Sequence, residues 1–156
     1  MKTKLFFATL VIASIHLLSC HSAKPGDEQT IQPAKEINAS DLDKLSNTKW
    51  KLHKMNNDII TDTTITLNFS GMATNAITFY GKSFVNNYGG RFYIKDNKML
   101  TEPGFATKMA AADEKQNELE QKYFNQLNSP VYFTINENEL DVYSADSAVL
   151  IFGREN

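Results

Sequence analysis

The stretch Gly81-Lys82-Ser83-Phe84-Val85-Asn86-Asn87-Tyr88-Gly89-Gly90-Arg91-Phe92-Tyr93 sets the tightest limit on what this chain can fold into. It joins a strand-like run ending at Tyr80 to another beginning at Arg91, and it holds three of the seven glycines. Glycine fits where torsions or close approach exclude a side chain, and Asn favours turns by bonding its own backbone. Phe84, Val85 and Tyr88 are interleaved with these turn formers. The pattern predicts a tight crossover whose aromatics point back into a core.

On either side of it apolar residues alternate with polar ones. Thr48 to Met55 places Trp50 and Leu52 on one side of a strand, Thr63 to Ser70 turns Ile65, Leu67 and Phe69 inward, and Ala76 to Tyr80 does so with Ile77 and Phe79. Arg91 to Ile94 and Met99 to Thr101 flank Asp96-Asn97-Lys98 as a hairpin, after which Pro103-Gly104 is expected to break the ladder. Ala112 to about Asn128 is the one convincing helix. Asp113 and Gln116 have capping-box spacing there, and Leu119, Tyr123 and Leu127 recur every four residues. Val131 to Ile135, Leu140 to Val142 and Ala148 to Phe152 return to strand periodicity. About eight short strands and one helix imply a mainly β, α+β chain: a rolled antiparallel sheet or small up-and-down β-barrel-like domain with one late inserted helix.

The N-terminus has a different logic. Lys2 and Lys4 precede an almost wholly apolar run, Leu5 to Leu18, which is short of the roughly 20 residues a spanning helix needs. Leu17-Leu18-Ser19-Cys20 closes that run and resembles the lipobox of bacterial lipoproteins, in which the Cys takes a diacylglycerol thioether after cleavage before it. This implies a signal peptide over residues 1–19, acylation of Cys20 by membrane lipid, a flexible tether over 20–46 with a helical turn at Asp41 to Leu45, and a domain over 47–156. The location implied is the bacterial cell envelope. Without Lys2 and Lys4, 14 basic residues face 18 acidic ones, so nothing favours nucleic acid as a partner. Cys20 is the only cysteine; once acylated, it leaves no thiol for a disulfide, a nucleophile or a metal site.

The ordered part resembles the META/HslJ-like domain, a family of small bacterial envelope domains named partly for a heat-inducible member. Its members open on a strand Trp, here Trp50. Its central motif, a Gly followed by Cys-Asn, an aromatic, a Gly and a further aromatic, is matched by Gly81, Asn86, Tyr88, Gly90 and Phe92, with Val85 at the Cys position. A second motif matches Thr107-Lys108-Met109-Ala110, with Ala111 where Cys is common. If Val85 and Ala111 lie together in the fold, packing replaces a thiol pair there, and the pair serves the scaffold.

Asn86, Asn87, Tyr88 and Arg91 form the best polar cluster. One reading is a recognition edge, with Arg91 contacting a carboxylate or phosphate and Lys108 meeting it across the fold. The plainer reading gives Asn86 turn hydrogen bonds, Tyr88 a packing role and Arg91 a solvated position, and places Met109 in the core. No soft-metal ligand set, glycine-rich phosphate loop, His-activated nucleophile or close carboxylate pair is evident, so no metal, cofactor or catalytic residue is expected, and Glu114, Glu118 and Glu120 read as a solvated helix face. The function expected is a noncatalytic envelope domain with a role in protein interaction or, from the resemblance alone, stress tolerance. The alternative is a binding module for a small apolar ligand inside the rolled sheet.

Overall fold

A computed structural model describes residues 36–109 and 113–155. The expected signal peptide, Cys20, the expected tether up to residue 35 and Ala111 lie outside the described residues, and with them the expected Val85–Ala111 proximity. The elements are α1 (Ala39–Asp43), β1 (Lys49–Met55), β2 (Asp58–Ile59), β3 (Thr66–Ala73), β4 (Ala76–Lys82), β5 (Asn87–Lys95), β6 (Lys98–Ala106), α2 (Glu114–Leu127), β7 (Pro130–Ile135), β8 (Glu139–Ser144) and β9 (Val149–Arg154).

The strands form one antiparallel sheet in the order β6-β5-β4-β3-β1-β9-β8-β7, with β2 as a short addition to β1. It is mainly β and barrel-like, with α2 as its late helix. Two meanders, β3 to β6 and β7 to β9, are joined by β1 at the centre, so the order is up-and-down only within each half. Alternation fills the concave face. Trp50, Leu52, Leu67, Phe79, Phe92, Leu140 and Phe152 are all at most 2% exposed, and burial of each large apolar side chain contributes roughly 2–3 kcal/mol. These side chains occupy the interior that an internal apolar ligand would need; the two clefts described below both open on the outside.

The packed core begins earlier than the boundary at residue 47 implies. Ile37, Leu42 and Leu45 are buried in the same core, so the part of the expected tether from 36 to 46 packs with the domain. Asn38 caps α1 in a reciprocal box with Asp41, and the Thr48 hydroxyl donates to Leu45 O (2.6 Å) while accepting from Trp50 Nε1 (2.7 Å). Trp50 is thereby fixed at the sheet's central strand, with the Arg154 guanidinium 5.3 Å from its ring centroid.

Two further expectations change. The stretch after Tyr80 is a hairpin and not a crossover: β4 runs into β5 with Lys82 opposite Asn87, leaving residues 83–86 as the loop. Pro103-Gly104 bends the ladder without breaking it. Gly90 pairs with Pro103 and Gly89 with Phe105, so Gly104 is the extra residue of a bulge. The β5–β6 turn has Asp96 and Asn97 both at positive φ (53° and 56°), the backbone that a two-residue hairpin loop requires.

Candidate functional site

The polar groups converge where the β4–β5 loop meets α2. Asp113 starts α2 by accepting from the Lys115 N–H (2.9 Å), and Leu119, Tyr123 and Leu127 turn toward the sheet. The same stripe carries Glu120, which is only 8% exposed. Its Oε1 accepts from the Ser83 hydroxyl, Val85 N–H (3.1 Å) and Asn86 N–H (2.8 Å), and its Oε2 accepts from Asn86 Nδ2 (2.6 Å). Glu120 was the residue missed in reading the helix as a solvated acidic face. The signal was there: Glu120 precedes Tyr123 by three and Leu127 by seven, the spacing of the buried stripe.

Asn86 is the other half of this hub. Its Nδ2 also donates to Met109 O (3.1 Å), and its Oδ1 accepts from the Thr107 hydroxyl and Met109 N–H (both 2.8 Å). Its carbonyl accepts from Ser83 N–H (2.8 Å). One buried amide therefore ties the β4–β5 loop, the segment after β6 and α2 together, with each of its polar groups bonded. Burial pushes the Glu120 carboxyl up, but the Ser83 hydroxyl, the Asn86 amide and the Asn86 and Val85 N–H groups outweigh it and hold the carboxyl below its ordinary value.

Tyr88, two residues after Asn86 and on β5, is buried. Its hydroxyl donates to Thr66 O (2.7 Å) and so accepts from Tyr123 (2.5 Å), with the two rings edge to face. Burial pushes both phenols up, and Tyr123 adds to the rise at Tyr88. Gly81 sits opposite Tyr88, where a Cβ would collide with Thr66 O and come within 2.9 Å of the Tyr88 hydroxyl. Gly90 clears the Phe79 ring and Glu102 O, at 2.7 and 2.8 Å from where a Cβ would stand. Close approach, not positive φ, is what these two glycines serve.

The remaining candidates do not join the hub. Asn87 keeps an exposed side chain while its N–H bonds the Thr107 hydroxyl (3.1 Å). Arg91 is exposed and lies between Thr78 and Glu102 in the ladder, whereas Lys108 follows β6 beyond the far end of that pairing, so the two are not side by side and the expected basic patch does not form. Met109, expected in the core, is 59% exposed; its backbone is what the hub holds. Val85 is half-buried.

Two clefts open on the outer surface. One, of about 310 Å³, lies between α2 and the β5–β6 bulge beside Phe105. The other, of about 660 Å³, lies where the β6 edge curls toward the start of β7, with Tyr93, Leu100 and Val131 among its lining. Among the described residues no group of three or more His, Cys, Asp or Glu is placed to hold a metal ion, and no helix is long and apolar enough to cross a membrane.

A family model described as the META domain matches residues 43–156. No curated protein matches the chain. Among solved structures, an NMR structure of a protein from Burkholderia xenovorans is 22% identical, covers 86% of this chain and 99% of its own length, and superposes with a TM-score of 0.57. A second NMR structure is 18% identical, covers 70% of this chain and 91% of its own, and has a TM-score of 0.55. At these identities the likeness is one of fold.

Proposed function

We propose, from the premise that this chain belongs to the META domain family, that it is a noncatalytic domain of the bacterial envelope, held to a membrane through acylated Cys20 and acting in protein interaction or stress tolerance. The observation that supports a noncatalytic reading is the saturation of the hub: the Glu120 carboxylate and the Asn86 amide, the most concentrated polar chemistry in the fold, are bonded to each other and to the backbone around them. A carboxylate that accepts from a hydroxyl, an amide and two N–H groups, with its proton affinity lowered, is a poor general base.

The stress role rests on the family and is tested in cells. A deletion strain exposed to heat is expected to survive less well than its parent, and to be rescued by the full chain. Cys20→Ala is expected to rescue poorly if the membrane is where the domain works. Survival equal to the parent's would remove the stress role. Full rescue by Cys20→Ala would remove the need for the anchor.

A further inference from the structure

The larger cleft has a chemistry of its own. Its apolar walls are Tyr93 and Leu100, paired across β5 and β6, and Val131, which is 37% exposed at the start of β7. Two carboxylates, Glu36 and Asp96, stand in its lining with one cation, Lys98. Among the described residues none of these three charges is held in an ion pair. The C-terminus of α2 also ends at the cleft, through Asn128 and Ser129. A helix end carries roughly half a negative charge, and the last turn of α2 contains no basic residue to offset it. The balance is negative beside an aromatic wall, in a space of the size that small ligands occupy.

We infer that this cleft binds a small amphipathic organic cation, its apolar body against Tyr93, Leu100 and Val131 and its positive group toward Glu36 and Asp96. Tyr93 favours a cation by its ring face, and the carboxylates add charge that Lys98 only partly offsets. A neutral apolar ligand gains nothing from the charges, and an anion of equal size meets two carboxylates and a helix C-terminus. This site goes beyond the function proposed above, and it seats a ligand on the outside of the roll, not in its interior.

The test uses the full chain in lipid nanodiscs, with empty nanodiscs as the control for partitioning. Benzyltrimethylammonium is titrated and amide shifts are followed, with 3-phenylpropionate as the anionic comparison. Saturable shifts confined to residues around Leu100, Ser129 and Val131, with binding of the anion weaker by about tenfold or more, are expected. Glu36→Gln with Asp96→Asn should weaken the cation about tenfold without unfolding the chain, since both side chains are exposed and Asn accepts the positive φ at position 96. Val131→Arg should abolish binding by placing a guanidinium in the cleft. No saturable shift, equal binding of both probes, shifts elsewhere on the molecule, or unchanged affinity in the double variant would each overturn the site. None of these results bears on acylation of Cys20 or on heat survival, so failure here leaves the envelope reading standing.

Discussion

At the scale of single residues, Glu120 shows how one buried charge becomes tolerable. Its carboxylate replaces lost water with four donors, all from the β4–β5 loop. Glu120→Ala should therefore destabilise the fold by about 3 kcal/mol in chemical denaturation, because it leaves the part-buried Val85 N–H without its acceptor and strips the Ser83 hydroxyl, the Asn86 N–H and the Asn86 amide of their charge-assisted bonds at once. The folded carboxyl titrates below the ordinary Glu value of about 4.5. Its stabilisation is fully present above that value and is lost as pH falls through the lower, folded value. Acid should then weaken the wild type progressively below about pH 4.5, and Glu120→Gln should lack that component of the loss. Gly81→Ala makes a second test of fit: with Thr66 O in the way, strands β3 and β4 must shift or Tyr88 must leave its bond, and a loss of about 2–4 kcal/mol is expected. The importance of Gly81, Asn86 and Tyr88 was legible in the sequence through their place in the motif. Glu120 was legible only as a position: its spacing puts it on the apolar stripe, but an acidic residue reads as solvated unless its partner 34 positions away is known.

At the scale of elements, the hub and the tyrosine pair make the β4–β5 hairpin and α2 one mechanical unit. A Tyr88→Phe, Tyr123→Phe double-mutant cycle should give a coupling of roughly 1 kcal/mol or more, since either single change leaves a buried oxygen short of a partner while the double change removes two together. Hydrogen exchange gives a second reading of the same tie. The Val85 and Asn86 amides, bonded to Glu120, should exchange with the free energy of the α2 amides, and both should collapse together in Glu120→Ala. Most elements were legible as periodicity, with α2 and β1 placed to within a residue or two. The bend in β6 was not. Pro103-Gly104 looks like a stop, and only the pairing partners Gly89 and Gly90 leave the backbone room to carry the ladder through as a bulge.

At the scale of the whole molecule, β1 is the keystone: it pairs with β3 on one side and β9 on the other, so the first and last strands of the roll meet at Trp50 and Arg154. That contact spans 104 positions, and alternation reports only which face a residue takes, not which strand lies beside it. The rolled sheet was therefore legible as a class, while its order and the packing of Ile37 into the core were not, since a single apolar residue between Glu36 and Asn38 carries no period. With the polar hub committed to holding the roll together, the proposed place of this domain at a membrane rests on the leader and the acylation of Cys20 expected from the sequence. The most direct measurement labels cells with an alkyne analogue of palmitate and follows wild type and Cys20→Ala through membrane fractionation. The expected result is label on Cys20 of a chain cleaved before it, with the wild type retained in membranes after a salt wash and the variant unlabelled. An unmodified Cys20 on an uncleaved chain, or a wild type recovered free of membrane, would contradict the anchored envelope domain.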